Sequence, residues 1–162
     1  MRTNSPFKHH QHSQCIQQAL RNAESLCKKN GFRLTRVRKR VLELIWKSHQ
    51  ALGAYAILEQ LGLEGVKPAP PTVYRALDFL LEAGLIHRLN SLNAYTGCSH
   101  PKDDHHGSYF LICQHCRNVA EIHDTGIDQQ ISSLAHRENF AVSEQALELS
   151  GTCQNCQGSA HA

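Results

Sequence analysis

Two pairs of cysteines in the C-terminal half of the chain have the spacing of metal ligands. Cys113 and Cys116 form one C-x-x-C pair, and Cys153 and Cys156 form a second after 36 intervening residues. Each pair can chelate through two sulfurs, and four thiolates in a tetrahedral array suit zinc. A redox-active dithiol or an iron–sulfur centre is the alternative. The pattern predicts a structural zinc site with no open position for chemistry, which argues against an enzyme.

A second set of metal-binding side chains is scattered through the middle of the chain. It comprises His87, Cys98, His106 and Glu121. A single histidine or cysteine is more typical of a surface or a core than of a metal site. These four lie on both sides of a polar segment, however, so one cation could clamp two parts of the chain together. His105 competes with the adjacent His106 for the same role, and His100 is a weaker candidate.

The two halves of the chain carry opposite charges. Residues 1–90 hold 14 Lys and Arg against 6 Asp and Glu, a net of +8, and residues 91–162 hold 3 against 8, a net of −5. A basic half suggests a polyanionic partner such as nucleic acid. The sequence shows neither an apolar run of roughly 18 residues nor a signal-peptide pattern. We therefore expect a cytoplasmic protein without a membrane span, whose cysteines stay reduced.

The basic half has the element order of a winged helix-turn-helix. Apolar periodicity predicts helices over residues 13–30, from the cap Thr35, over about 53–61, and from Thr72 to about 84, followed by a hairpin of residues 85–89 and 93–96. In the last helix, Tyr74 and Arg75 fall on the outer side of the first turns, as in a recognition helix that enters the major groove. Six cationic residues between Lys29 and Arg40 fit either a solvated face or contact with DNA.

The remainder of the chain predicts a hinge and a small second domain. Residues 97–107 are polar, and a β-β-α-β pattern follows, with strands at 109–113, 119–122 and 146–149 and a helix at 125–138. We expect an α+β protein with a flexible tail (1–12), a winged-helix domain (13–96), a hinge (97–107), a small α/β dimerisation and metal-binding domain (108–157) and a short tail (158–162). A domain of roughly fifty residues is marginal alone, which favours a metal or a partner subunit.

Several of these motifs resemble the ferric uptake regulator family, and its zinc-sensing Zur branch in particular. The resemblance covers about residues 13–156. It rests on Arg33-Leu-Thr35 with Arg38, the helix Pro-Pro-Thr-Val-Tyr-Arg-Ala-Leu-Asp-Phe-Leu-Leu, the wing Gly-Leu-Ile-His87, Tyr95-x-x-Cys98 and both C-x-x-C pairs. It implies a zinc-responsive repressor that binds double-stranded operator DNA as a homodimer and controls zinc-uptake genes.

The resemblance also implies two zinc ions per subunit and roles for individual residues. The structural zinc would be held by Cys113, Cys116, Cys153 and Cys156, and the regulatory zinc by His87, Cys98, His106 and Glu121. Tyr74 and Arg75 would contact bases and backbone, and Arg33 would reach toward the minor groove. Because a thiolate favours zinc, Cys98 argues against the alternative, an iron- or manganese-sensing regulator. Gln145 stands where many iron-sensing relatives have a metal-binding histidine, so we expect no third site.

Overall fold

The computed structural model describes residues 6–7, 12–66, 68–101, 107–143 and 145–158. Most of the predicted N-terminal tail, residues 159–162 of the C-terminal tail, and the part of the hinge that contains His105 and His106 lie outside the described residues. No helix in the described ranges is long and apolar enough to cross a membrane.

Four helices form the N-terminal half, as the spacing of apolar residues predicted. They are α1 (His12–Lys29), α2 (Arg36–Trp46), α3 (Ala54–Leu63) and α4 (Pro70–Glu82). Thr35 caps α2 as expected, because its hydroxyl accepts a hydrogen bond from the backbone N–H of Arg38 (3.4 Å). All four helices contribute apolar side chains to one shared core, in which Ile45, Ile57 and Leu77 are buried.

Helix α4 begins earlier than the sequence predicted. We expected Thr72 to be the N-cap, but the helix starts at Pro70, and Ala69 takes the cap position. Proline fits the first turn because the N–H that it lacks has no partner within the helix there. After the helix ends, Gly84 has a φ of +64°, a conformation that glycine adopts at no steric cost.

A two-stranded wing follows α4. Strands β1 (Ile86–Leu89) and β2 (Ala94–Gly97) pair antiparallel, with Ile86 opposite Gly97. The sequence placed Gly97 at the start of the hinge, whereas it is the last residue of β2 and lies against the indole of Trp46. A Cβ on Gly97 would come within 2.1 Å of Trp46 Cε2. Together with the helices, this hairpin completes a winged helix-turn-helix.

The C-terminal unit is a three-stranded sheet with one long helix. Its central strand β3 (Ser108–Cys113) pairs antiparallel with β4 (Val119–Ile122) and parallel with β5 (Ala146–Gly151). Helix α5 (Thr125–Arg137) connects β4 to β5 in the chain. This is the predicted β-β-α-β order, followed by a one-turn helix α6 (Gln154–Gln157) that the sequence did not reveal. The two units together confirm the α+β class.

The winged helix and the sheet pack directly against each other. A small apolar core between them contains Leu89, from the end of the wing, with Phe110, Ile112 and Val119 from the sheet. The backbone N–H of Val119 also donates to the carbonyl of His49 (2.9 Å), which follows α2. The position of the winged helix against the sheet is therefore defined by contacts outside the hinge.

A carboxylate from the sheet holds the turn of the wing. Glu148 in β5 accepts hydrogen bonds from the backbone N–H of Asn90 (2.7 Å), from the backbone N–H of Ser91 (3.1 Å) and from the Ser91 hydroxyl. Burial acts to raise the pKa of Glu148, but these hydrogen bonds together outweigh burial and hold the pKa below its ordinary value. A charged group thus fixes the tip of the wing to the sheet.

Candidate metal centres and DNA-binding surface

The four cysteines of the two C-x-x-C pairs meet at one end of the sheet. Their Sγ atoms all lie within 4.8 Å of one another, and those of Cys116 and Cys153 are 3.8 Å apart. A tetrahedral site with Zn–S bonds of about 2.3 Å has sulfurs about 3.8 Å apart. None of the four cysteines is in a disulfide. The predicted structural ligands are therefore brought together in an arrangement that fits zinc.

Strand pairing positions these cysteines. Because β3 and β5 run parallel with Cys113 opposite Gly151, the residues that follow both strands reach the same edge of the sheet. Cys116 follows β3 in a turn, and Cys156 lies in α6. The backbone N–H of Cys153 donates to Cys113 Sγ (3.4 Å) and holds the pKa of that thiol below its ordinary value. Four sulfurs this close can all be thiolates only around a cation.

A second group of ligand atoms lies where the wing meets the sheet. His87 comes from β1, Cys98 follows β2, and Glu121 comes from β4; we call these three the inner group. Glu121 Oε1 is 2.8 Å from His87 Nε2 and 3.9 Å from Cys98 Sγ. The three donor atoms lie within 4.8 Å of one another. The structure thus brings together three of the four predicted regulatory ligands, while the fourth, His106, is outside the described residues.

The inner group suits a divalent cation. Burial acts to raise the pKa of Glu121, but His87, the backbone N–H of Ser99 (2.6 Å) and the nearby His123 together outweigh burial and hold the pKa below its ordinary value. On the far side of the imidazole, His87 Nδ1 is 3.3 Å from the Ser108 hydroxyl. A hydrogen bond to that nitrogen orients the ring and leaves Nε2 facing the carboxylate. A carboxylate, an imidazole and a thiol are a donor set that zinc accepts.

Two more histidines lie beside the inner group. His100 was only a weaker candidate in the sequence, and His123 was not singled out at all. Their rings contact each other edge to face with centroids 4.5 Å apart, and with Glu121 they offer three donor atoms within 4.8 Å of one another. The signal in the sequence was Glu121-Ile-His123, since residues two apart on a strand share a face. We call His100, Glu121 and His123 the outer group.

A hydrogen-bonded cluster surrounds Gln145, the position considered for a third metal. The amide nitrogen of Gln145 donates to Asp128 Oδ1 (2.9 Å) and to the hydroxyl of Tyr109 (3.2 Å), and that hydroxyl also donates to Asp128. Burial, reinforced by the Asp128 carboxylate, raises the pKa of Tyr109 to about 12. The oxygens that a metal would need are thus already engaged with a phenol and an amide.

The outer face of α4 is open to solvent. Tyr74 is 42% exposed, and Arg75 beside it is exposed as well, while Val73 and Leu77 anchor the helix in the core. The predicted recognition residues therefore stand on an accessible surface. A second tyrosine, Tyr55 at the start of α3, is 81% exposed and was not singled out in the sequence. An aromatic ring so exposed in the basic half is a further candidate for contact with nucleic acid.

The cationic run before and within α2 divides into two kinds of residue. Arg38 donates to the carbonyl of Arg33 (2.7 Å) and stacks over the ring of Phe79, 3.6 Å from its centroid. Lys39 pairs with Glu24 (2.7 Å), and Arg40 pairs with Glu43 and Glu64. Arg33 and Arg36 are exposed. Structural roles therefore account for part of the run, and the exposed arginines remain candidates for contact with a polyanionic partner.

Comparison with known proteins identifies the family. Residues 29–150 match the profile of the ferric uptake regulator family. The chain is 37% identical, over 140 residues, to the zinc uptake regulation protein of Escherichia coli (strain K12), a match that covers 86% of this chain and 82% of that protein.

Two solved structures have the same fold. A zinc uptake regulator complexed with zinc and DNA superposes with a TM-score of 0.85 at 35% identity, covering 91% of this chain and 98% of that one. Apo XcZur superposes with a TM-score of 0.52 at 38% identity, covering 88% and 97%. Since the family profile spans most of its length and so do these relatives, the chain belongs to the ferric uptake regulator family.

Proposed function

We propose that this protein is a zinc-responsive transcriptional repressor that binds operator DNA as a homodimer and controls zinc-uptake genes. The observation that carries the proposal is the inner group, in which His87 of the wing and Glu121 of the sheet face each other beside the thiol of Cys98. A cation held there would bond both units at once. A repressor works where the chromosome is, which places the protein in the cytoplasm.

The ligand types favour zinc over iron or manganese. A thiolate is a soft donor that zinc binds well, whereas iron(II) and manganese(II) regulators rely on imidazole and carboxylate. Cys98 is buried beside Glu121, so its sulfur is held at the site. We assign two zinc ions to each subunit: a regulatory ion on His87, Cys98, Glu121 and, from the sequence, His106, and a structural ion on Cys113, Cys116, Cys153 and Cys156.

The structural ion would stabilise the part of the chain that joins two subunits. The four cysteines tie the end of β3 to the segment that follows β5, and a closed four-thiolate site contributes directly to folding. Helix α5 has no buried residue, and Leu134 and Phe140 are 54% and 67% exposed. A second copy of the chain would cover these apolar side chains in the homodimer.

DNA binding follows from the placement of α4 in a basic unit. Arg75 can form a bidentate contact with guanine, Tyr74 can contact a phosphate or a thymine methyl, and Arg33 can reach a neighbouring groove or phosphate. Two winged helices in a dimer must match two half-sites about 34 Å apart. The spacing between the two recognition helices therefore decides affinity, and it depends on how each wing sits against its sheet.

Metal binding and DNA binding are coupled through that arrangement. His87 and Glu121 already form one hydrogen bond between the wing and the sheet, and ligation of both residues would favour the docked arrangement further. The resemblance to the zinc- and DNA-bound relative, closer than that to the apo relative at similar identity, supports the docked form as the DNA-binding form. Zinc and DNA must then strengthen each other's binding by the same factor.

The test is the affinity of the purified dimer for a zinc-uptake promoter at fixed salt, measured while buffered free zinc is titrated. Before the titration, the protein retains zinc at the four cysteines and has none at the inner group. We expect affinity to rise steeply with free zinc and Cys98→Ser to remove most of that rise, because the site loses its sulfur ligand. Cys15→Ser, at a cysteine outside both clusters, is the matched control and should respond as the natural chain does.

Other outcomes would favour other functions. A rise with iron(II) or manganese(II) that Cys98→Ser leaves intact would identify an iron- or manganese-sensing regulator of the same family. Affinity that ignores every added metal while the four-cysteine zinc stays bound would leave a DNA-binding protein with a purely structural zinc. Either result would overturn the proposed regulatory role of Cys98.

A further inference from the structure

The outer group is more exposed to solvent than the inner group. Cys98 is 4% exposed, and the side chains of Glu121 and His87 are 3% and 19% exposed. The side chain of His123 is 27% exposed, and His100 is exposed. The two outer imidazoles are thus open to a cation in solvent, and they share Glu121 with the buried thiol site.

One carboxylate oxygen is common to both groups. Glu121 Oε1 is 2.8 Å from His87 Nε2 and 3.7 Å from His123 Nε2. The other oxygen, Oε2, accepts a hydrogen bond from the backbone N–H of Ser99 (2.6 Å), so the carboxylate has a fixed orientation. An oxygen close to an imidazole of each group can bind a cation held by either group, one cation at a time.

We propose that His100 and His123, with Glu121, form a second divalent-cation site that captures zinc from solvent and passes it to the inner group. The ion would keep its bond to Glu121 while the two imidazoles are exchanged for His87 and Cys98. No charge or oxidation state changes beyond the release of the thiol proton to solvent. Because thiolate is the stronger zinc ligand, the inner position is favoured at equilibrium, and the outer position is occupied in passing. This proposal rests on the regulatory role of the inner group given above.

The first experiment isolates the outer position with cobalt(II) as the probe. A His87→Gln/Cys98→Ser variant, with its structural zinc retained and verified by metal analysis, lacks two of the three inner ligands. We expect it to bind one Co²⁺ per subunit with visible d–d absorption and no thiolate-to-cobalt charge-transfer band. Adding His123→Gln should weaken this binding by on the order of tenfold. Binding that is absent, or that is indifferent to both His123→Gln and His100→Gln, would overturn the proposal.

The second experiment follows delivery in a chain with an intact inner group. After rapid mixing with Co²⁺, the charge-transfer band from Cys98 reports arrival at the thiol. In His100→Gln/His123→Gln we expect the band to reach its normal final intensity but to grow more slowly, by on the order of tenfold. His136→Gln, at an exposed histidine of α5 far from the site in sequence, is the control and should load at the natural rate. An unchanged loading rate in the double variant would contradict transfer through the outer group.

The two proposals fail in different ways. If the inner group has no regulatory role, the natural chain will show no metal-dependent change in DNA affinity, whatever the outer histidines do. If only the outer site is wrong, DNA affinity will still depend on zinc, and substitution of the outer histidines will change neither the loading rate nor the binding of Co²⁺ to the His87→Gln/Cys98→Ser variant.

Discussion

Glu121 is the residue at which both candidate cation positions meet. Its side chain is buried, its orientation is fixed by the backbone N–H of Ser99, and its Oε1 lies near the imidazoles of both His87 and His123. The carboxylate stays ionised despite its burial because these imidazoles and the N–H of Ser99 favour its charged form. Glu121 would therefore be a ligand both in the proposed outer site and in the inner site.

Replacing Gly97 by alanine should disturb the inner group through the strand that precedes Cys98. The new methyl would lie 2.1 Å from Trp46 Cε2, so either the indole or strand β2 must move, at a cost of about 1–3 kcal/mol in the free energy of unfolding. Because Cys98 is the next residue, we also expect zinc to bind the inner group more weakly. Urea unfolding of the zinc-retaining protein and a zinc titration measure the two effects.

The control for this substitution is Gly62→Ala. Gly62 lies inside α3, and a Cβ there would meet nothing within 4 Å. Alanine is the better helix former, so stability should stay the same or rise slightly. Equal stability of Gly97→Ala and the natural chain would show that Trp46 can move aside freely.

Metal ligands could be predicted from the sequence where they form a recognisable motif. The C-x-x-C pairs are visible without a structure, and the inner residues were found through a resemblance that includes Cys98. His123 was missed because the Glu121-Ile-His123 spacing has meaning only once β4 is known to end at Ile122, directly before this histidine. Thr72 was misplaced as a cap because a Ser or Thr before an apolar run is a common start signal, and here two prolines in front of it already begin the helix.

At the scale of elements, β5 has two tasks. It completes the sheet beside β3 and brings the second cysteine pair to the first, and its Glu148 holds the turn of the wing at Asn90 and Ser91. The strand therefore links the structural metal site to the position of the DNA-binding unit. A substitution that displaces β5 should therefore affect both the four-cysteine site and the position of the wing.

Replacing Glu148 by glutamine should loosen the wing from the sheet. The glutamine amide is neutral, and its NH₂ group would lie where a carboxylate oxygen now accepts hydrogen bonds from the wing. We therefore expect the free energy of unfolding at pH 7 to fall by on the order of 1 kcal/mol, a value that already allows for solvent screening at this partly exposed position. Urea denaturation of both proteins measures it. Glu138→Gln, at the exposed C-cap of α5, is the matched control and should leave stability unchanged.

The effect of this substitution should depend on pH. The pKa of Glu148 in the folded protein lies below its ordinary value of 4.5, so its contribution is present in full above pH 4.5 and is lost as the pH falls through the folded value. The natural chain and Glu148→Gln should therefore differ at neutral pH and converge in acid. Acid also weakens metal binding, but it does so in both proteins. A difference that persists below the folded pKa would contradict an ionic role for Glu148.

Helices could be predicted from the sequence more fully than the sheet. Each of α1 to α4 carries its own apolar stripe and its own stop signal, so local patterns suffice. The parallel pairing of β3 with β5 is set by tertiary contacts across α5, and no local pattern encodes it. Helix α6, a single turn that follows Cys153 and contains Cys156, is too short to show periodicity.

At the scale of the whole molecule, α5 presents an apolar stripe that the described part of the chain covers only in part. Ile127, Ile131 and Leu134 follow helical spacing, yet the helix has no buried residue, and Leu134 is 54% exposed. A stripe of this kind on a chain proposed to be a dimer belongs to the contact between subunits. The acidic C-terminal half is thus suited to self-association and the basic N-terminal half to DNA.

Leu134→Asp should separate the subunits. A charge placed in an apolar interface would be buried without a partner, so the dimer should dissociate at concentrations where the natural chain stays dimeric, and cooperative binding to two half-sites should be lost. Sedimentation equilibrium and operator binding measure the two effects. Ser133→Asp adds the same charge one residue away from the stripe and should remain dimeric. A dimeric Leu134→Asp protein would place the interface elsewhere.

The docking of the two units was beyond what the sequence could reveal. The hydrogen bond between Asn90 and Glu148 joins residues 58 positions apart, and the apolar core between the units uses residues from four separate segments, since Ala51 and Leu89 pack with Phe110 and Val119. The polar hinge predicted two units, but it carried no information about the contacts between them. Only the structure shows that the wing packs against the sheet through these contacts.

The pairing of β3 with β5 also has a consequence for how the protein is made. Strand β3 and the first cysteine pair leave the ribosome well before the second pair, with Cys113 and Cys153 separated by 40 residues. At roughly 5–20 residues per second, this interval lasts about 2–8 s. During that time the nascent chain carries an open strand edge and two reduced thiols side by side. Until the last strand is made and metal is bound, this edge is open to pairing with other chains.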